Sequence, residues 1–500
     1  MISEWIEKAA ACQPDDVYLA DARGAATLTY AGLRRAALAW ARRLDDAGLP
    51  PGTPIAVRLA DPLEYATTLV ALIGAGRVAV PLDPGAPPAD VFRVLSVSRP
   101  GAAVSADSTA ISPSFGIFGD IPVLSPESAG AGAGERAGDD LVSAGELPGG
   151  SGGIYLCTSG TTGAPKGILL RDEQLAHVAD SVAAHHELTA ADRGYCSLPL
   201  FHVNAEVVGL LATLRAGAFL AVDRSFSRRG FWPLIERLRI TWINAVPAII
   251  SILAMDPPAS PVRGVRFVRS ASAPLPRAAL ERFEASFGIP VVETYGMTEA
   301  ASMITANPVD GVRKPGSAGR PAGTEVRVVT VSDLGEVTTC GPTEIGRVRI
   351  RGMGVITSYA SGGRPGAVDP DGWLDTGDLG YLDADGYLFL VGRSDDVINR
   401  GGEKIYPREI EEILLAQPGV KSAAVVGARD EVLGERPVAW IVPSFPVAAA
   451  GLEAALRDAC AAALPRHKRP SEFFVVTEMP LGPTGKISRR KLKDQVAAER

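Results

Sequence analysis

The segment Ile154-Tyr-Leu-Cys-Thr158-Ser-Gly-Thr-Thr-Gly-Ala-Pro-Lys166-Gly runs an apolar stretch into ten residues that hold four hydroxyls, three glycines and a lysine. Glycines let backbone N–H groups turn toward an anion, hydroxyls donate, and the lysine adds a compact positive charge. The spacing is not G-x-x-x-x-G-K-[ST], so the usual P-loop fold is not implied. Taken alone, the stretch is equally a polar turn. Further along, Tyr295-Gly-Met-Thr-Glu299 follows a strand-like Pro290–Thr294 and offers a lone carboxylate, the kind of group that Mg²⁺ takes beside phosphate oxygens. Near the C-terminus Lys486 stands in a Gly/Pro turn followed by Arg489, Arg490, Lys491 and Lys493. Such a run is often only a solvated face.

These pieces occur in order: Thr158–Gly167, Tyr295–Glu299, Gly372-Trp-Leu-Asp-Thr-Gly-Asp378, Gly392-Arg-Ser-Asp-Asp396 with Ile398-Asn-Arg-Gly-Gly-Glu-Lys404, and Pro483-Thr-Gly-Lys486. Together they resemble the signature series of the acyl-adenylate-forming superfamily, which includes acyl-CoA synthetases, luciferase and nonribosomal adenylation domains. The resemblance covers almost the whole chain and leans toward acyl-CoA synthetases. It implies that a carboxylic acid and MgATP give an acyl-adenylate and pyrophosphate, and that a thiol then takes the acyl group. ATP, Mg²⁺ and coenzyme A are the cofactors and co-substrates implied.

By the same resemblance Thr158, Ser159, Gly160, Thr161, Thr162, Gly163 and Lys166 hold ATP phosphates, with Tyr295 and Gly296 beside them. Ser272, Ala273 and Pro274 pack on adenine. Asp378 accepts the ribose hydroxyls and Arg393 adds a ribose or phosphate contact. Lys486, Glu299 and Thr298 are the catalytic set, Glu299 also as the metal ligand. Attack of a carboxylate on phosphorus brings two anions together, so a positioned lysine stabilises the transition state. The nucleophile is already ionised and needs no general base.

Leu198-Pro-Leu-Phe-His202-Val203-Asn204 resembles the segment lining the acyl pocket of acyl-CoA synthetases. His202, Val203 and Asn204 are expected there, with Trp242, Val246 and Pro247 as further walls that are equally readable as core. Amino-acid activators usually carry Phe-Asp where this chain has Phe201-His202, which argues against an α-amino acid. Gly402 borders the implied coenzyme A tunnel, and Asp395 falls at the family's hinge position. A stand-alone enzyme loading an acyl carrier protein shares this machinery and remains open. A non-catalytic nucleotide-binding relative is disfavoured by the presence of Lys486, Glu299 and Asp378 together.

To hold these residues, the sequence offers alternating helix and strand. Thr29 is a helix N-cap before Leu33, Ala37, Trp40 and Leu44, with Gly48 past the helix end. Apolar runs at Pro54–Leu59 and Val78–Leu82, separated by helical stretches, predict a doubly wound α/β sheet, with a second such unit from about residue 153 to 320. Ser125–Gly153 reads as a linker, and its Gly132–Ala137 match to G-x-G-x-x-A lacks the helix that a dinucleotide site needs. A small β-rich lobe with strands at Glu325–Val329 and Gly346–Ile350 follows. After it comes an α+β unit with a helix near Pro407, strands at Ser422–Gly427, Pro437–Val442 and Phe473–Val476, and a helix at 452–463. The expected domains are 1–393 and a small mobile domain, 394–500.

The chain of 500 residues is too long for one ordinary domain, and a hydrophobic fraction of 46% supplies ample core. Lys plus Arg number 50 against 57 Asp plus Glu, so the net charge is −7 and a basic footprint for nucleic acid is absent. Cys12, Cys157, Cys196, Cys340 and Cys460 form no CxxC pair, which excludes a disulfide framework or thiolate zinc site as a sequence signal. The acidic N-terminus does not resemble a signal peptide, and apolar runs stop short of a membrane span. A cytoplasmic enzyme with no membrane partner is expected.

Overall fold

The computed structural model describes residues 1–106, 122–126, 145–159, 165–255, 257, 261–332, 335–363, 366–444, 449–481 and 487–498. Gly160, Thr161, Thr162, Gly163 and Lys486 lie outside the described residues, as do Gly132–Ala137 and most of the linker.

The described residues form four sheets. The largest runs in spatial order Arg320–Pro321, Ser302–Ala306, Val291–Met297, Phe267–Ser270, Trp242–Ala245, Arg193–Cys196, Phe219–Val222, Val17–Asp21 and Thr27–Thr29. Its middle, from Val291 to Val17, is parallel. The strands there are buried on both faces, as parallel strands under helical layers are, and are mostly apolar, with Asn244 and Arg269 as buried exceptions. A second sheet runs Val123–Leu124, Ala102–Ser105, Pro54–Arg58, Val78–Pro81, Gly153–Ser159 and Pro165–Arg171.

The two sheets are interleaved along the chain, which corrects the expectation of two consecutive units. Val17–Asp21 pairs with Phe219–Val222 in the first sheet, whereas Gly153–Ser159 pairs with Val78–Pro81 in the second. The helix Pro62–Gly74 explains the arrangement. It is buried on nearly every side and touches strands of both sheets, so its all-round apolar surface is covered only between them. Asp61 caps it through Glu64 N–H at 2.8 Å. Thr29 likewise caps Tyr30–Asp46 through Gly32 N–H at 3.1 Å, and Gly48 follows that helix with φ 71°, as expected.

The β-rich lobe is antiparallel, in the order Val337–Thr339, Glu325–Val331, Gly346–Arg351, Leu374–Leu382 and Leu388–Arg393. Ser394–Asp396 forms a single tight turn after it. Beyond that turn, the long hairpin Val420–Asp430/Gly434–Pro443 carries Pro407–Leu415 and Ala449–Ala463 over a separate apolar cluster centred on Ile398, Ile410, Val425, Ile441 and Leu456. No helix among the described residues is long and apolar enough to cross a membrane.

Candidate active site

Gly153–Ser159 and Pro165–Arg171, on either side of the Gly/Ser/Thr segment, pair as an antiparallel ladder. Thr158 faces Lys166 across it, and Gly167 N–H donates to Ser361 O at 2.9 Å. That contact draws in residues 356–361, which sequence reasoning missed. The Lys166 Nζ stands 5.3 Å above the centre of the Tyr359 ring, and the Tyr359 hydroxyl donates to Glu299 Oε1 at 3.0 Å. Ile356 N–H also holds Glu299 O at 2.9 Å. One tyrosine therefore ties Lys166, the candidate phosphate contact, to the candidate metal ligand. The only advance signal was a tyrosine among small and hydroxylic residues in a stretch without periodicity.

Glu299 sits in the short turn Thr298–Ala300, its carboxylate buried and without an ion pair among the described residues. A buried carboxylate with one hydrogen bond and no cation has unused acceptor capacity, so the donor set fits Mg²⁺. Mg²⁺ held there by Glu299 would neutralise phosphate charge. The turn is closed by two non-glycine residues at positive φ, Ala301 at 50° and Ser302 at 102°. Gly296 lies against it so closely that a Cβ would stand 1.5 Å from Ser302 O; no other residue type fits.

Three residues before Thr298, Tyr295 begins the candidate nucleoside end. The Tyr295 hydroxyl donates to Asp378 Oδ2, and Arg393 Nη1 donates to Asp378 Oδ1 and Thr376 O, both at 3.1 Å. Asp378 and Arg393 are direct partners on adjacent antiparallel strands, which fixes this pairing. Burial pulls the Arg393 guanidinium down, yet Asp378 outweighs it and holds the arginine above its ordinary value. Burial and then Asp378 push the Tyr295 phenol well up, so it stays a donor. Ser272, Ala273 and Pro274 form an exposed edge past Phe267–Ser270, with Ser272 at φ 74°. Thr294 Oγ1 donates to Ser270 O at 3.1 Å and joins that edge to the Tyr295 strand.

His202 and Val203 are half-buried, the His202 ring lying 4.7 Å from that of Phe201. Asn204 opens a helix of wide, π-type turns, Asn204–Leu211, closed by Ala212 N–H on Val207 O. Its amide reaches Ser272 Oγ at 3.3 Å, so the candidate acid pocket and adenine edge meet at one side chain. Val246 is half-buried at the start of helix Pro247–Ala254. Trp242 is fully buried, stacked on Phe267 with centroids 6.1 Å apart, below this layer. Asn204 Oδ1 also accepts from Arg269 Nη1 at 2.7 Å and Asn244 Nδ2 at 3.3 Å. Neither of those two residues stood out in the sequence. Burial pushes the Arg269 guanidinium down to about 9.

Away from this arc, Asp395 is exposed in its turn, and Gly402 is exposed with φ 92°, its N–H held by Asn399 Oδ1 at 3.1 Å.

The AMP-binding enzyme family model matches residues 6–360, and the AMP-binding enzyme C-terminal domain matches 409–486. The chain belongs to the AMP-binding enzyme family. Members similar to it include a sulfoacetate–CoA ligase of Cupriavidus necator, 39% identical over 97% of this chain and 95% of that protein. An oxalate–CoA ligase of Arabidopsis thaliana is 34% identical over 90% and 89%. Among solved structures of the family, o-succinylbenzoate CoA synthetase from Bacillus subtilis with its acyl-adenylate intermediate superposes with a TM-score of 0.84, at 30% identity over 98% of both chains. The same synthetase with ATP and magnesium ion gives 0.82 at 29% identity over 99% of both chains. This family member is an AMP-forming acid–CoA ligase that uses ATP, Mg²⁺ and coenzyme A.

Proposed function

We propose that the two half-reactions are divided among the residues as follows. Lys166 and the hydroxyls of Thr158–Thr162 hold the pyrophosphate end of ATP. Glu299 holds Mg²⁺, with Thr298 beside it. Asp378 and Arg393 hold the ribose, and Ser272–Pro274 flank adenine. The acid carboxylate attacks the α-phosphorus, and the bond to the bridging oxygen of pyrophosphate breaks. Lys486 compensates the charge gathered there. In the second step the coenzyme A thiolate attacks the acyl carbonyl, AMP leaves and the thiol proton passes to solvent. Gly402 borders the thiol's approach, and the chain divides into domains 1–393 and 394–500 with Asp395 as the hinge.

The observation that carries this reading is a pair of contact chains, Lys166–Tyr359–Glu299 and Tyr295–Asp378–Arg393, joined through the segment Tyr295–Glu299; their order supports a phosphate cation, a metal carboxylate and a ribose carboxylate in succession. The acids named for the relatives, sulfoacetate, oxalate and o-succinylbenzoate, each carry a second acidic group. They support a polar acid here rather than a fatty one. The test is a panel of acids assayed for pyrophosphate release with MgATP, then for AMP and thioester with coenzyme A. Release of both from at least one acid is expected, at a rate that acyl carrier protein does not raise. Pyrophosphate without a coenzyme A thioester, but with a loaded carrier thiol, would assign the acceptor to a protein.

A further inference from the structure

Cys196, Asn244 and Arg269 stand side by side on three neighbouring parallel strands, in register and on the face that Asn204 covers. Arg269 Nη1 donates to Asn204 Oδ1 at 2.7 Å and to Asn244 Oδ1 at 3.2 Å, while its Nε is buried with no hydrogen-bond partner. Buried arginines elsewhere in the molecule have carboxylates: Arg77 pairs with Asp45, and Arg436 with Glu472 at 2.6 Å. Among the described residues Arg269 has none. Glu206, buried two residues past Asn204, makes no ion pair among the described residues, and burial pushes its carboxyl well up. The charge of Arg269 instead depresses His185 and His186, after their own burial. An uncompensated buried cation is costly to fold around, and an anion is what it lacks.

Asn204 relays that charge outward. A guanidinium only donates, so Asn204 must turn its oxygen inward and its Nδ2 toward Ser272. Ser272 is exposed, so the polar line from Arg269 ends at the pocket surface.

We propose that Arg269, Asn244 and Asn204 form a cationic floor to the acid pocket, which selects carboxylic acids bearing a second anionic group, a carboxylate or a sulfonate. The proposal rests on the acid–CoA ligase reading and names its substrate class. Asn204 Nδ2–H and the Ser272 hydroxyl meet the second anion, and Arg269 is a positioning residue whose charge acts through Asn204 in a low-dielectric setting.

The experiment compares acids of matched length: malonate, succinate and sulfoacetate against propionate, butyrate and acetate. It measures kcat/KM for pyrophosphate release in the wild type, Arg269→Met, Arg269→Lys and Asn204→Asp. The doubly anionic acids are expected to be preferred by the wild type. Arg269→Met should cut the preference about 10- to 100-fold, through KM more than kcat, and Arg269→Lys should restore part of it. Asn204→Asp gives Arg269 an internal counter-ion, so it should raise the thermal midpoint while lowering the same preference. That opposite pair of changes is not expected of a merely structural arginine, and it decides the matter if Arg269→Met fails to fold. Wild-type preference for the singly anionic acids, or an unchanged ratio in Asn204→Asp, overturns the proposal and leaves the ligase reading intact. Absence of pyrophosphate release from every acid in both series would instead overturn the ligase reading itself.

Discussion

Tyr359 lies between two opposite charges of the site, its ring under Lys166 and its hydroxyl on Glu299. A cation over an aromatic face gains a modest amount, and a carboxylate fixed by one neutral donor keeps its other lone pairs free for a metal. Removing the hydroxyl and removing the ammonium should therefore have different signatures. Tyr359→Phe keeps the ring, so the apparent affinity for MgATP should fall little, while the Mg²⁺ concentration needed for half-maximal pyrophosphate release rises several-fold. Lys166→Ala removes a charge-assisted contact worth about 1.5–3 kcal/mol and should raise the KM for MgATP by about 10- to 100-fold. Titrating Mg²⁺ at fixed ATP, and ATP at saturating Mg²⁺, separates the two. Identical behaviour of both variants in both titrations would dissolve the assignment of lysine to phosphate and glutamate to metal.

At the scale of elements, the strand Val291–Met297 does most of the positioning, since it carries Glu293, Thr294, Tyr295 and Gly296 in succession. Glu293 supplies a pH-dependent contribution. Burial raises its carboxyl to about 7, against pulls downward from Gly316 N–H at 3.1 Å and from Arg408, and further pushes upward from Glu412 and Glu284. Between the ordinary carboxylate value and about 7, the folded protein keeps this proton and the unfolded chain gives it up. Stability therefore falls as pH rises through that window, by an amount on the order of 3 kcal/mol. Glu293→Gln should flatten that slope, which urea midpoints at about pH 5 and about pH 8 would register; an unaltered slope would place the proton uptake elsewhere. The same scale shows what a linear reading can reach. The helix Tyr30–Asp46 was legible because its cap, apolar stripe and closing glycine are local signals. The interleaving of the two sheets was not, because Val17–Asp21 chooses Phe219–Val222 as its partner through packing some two hundred residues away. Arg269 and Tyr359 escaped for a similar reason. An arginine on an apolar strand and a tyrosine in a loop acquire meaning only from neighbours supplied by other strands. Lys166, Glu299 and Asp378 were legible as candidates because each stands in a short motif with its own glycines and hydroxyls.

On the scale of the whole molecule, two apolar clusters lie on either side of the turn Ser394–Asp396, one beneath the large sheets and one under the C-terminal hairpin. Polar contacts join the two parts: Arg408 Nη1 donates to Leu390 O at 2.8 Å, and Arg408 and Glu412 both lie close enough to act on Glu293. Polar interfaces of this kind exchange their hydrogen bonds with water at small net change in free energy, which suits a part that turns between steps. The proposed division of labour needs such a turn, because one small domain cannot readily present the Lys486 segment and the Gly402 turn to the same centre at once. Lys486→Ala should abolish ATP–pyrophosphate exchange yet still convert supplied acyl-adenylate and coenzyme A to thioester. Gly402→Leu should keep exchange and lose thioester formation. Among the described residues nothing stands within 4 Å of the Cβ that a substitution would add there, so a leucine projects toward where pantetheine is proposed to pass. Its φ of 92° makes any side chain strained, so the thermal midpoint must be followed alongside. Asp395→Pro fixes φ near −65° in the turn and should slow thioester formation from acyl-adenylate made in place more than exchange itself. If Lys486→Ala and Gly402→Leu, both folded, impair the two half-reactions to the same degree, the small domain does not divide its faces between them.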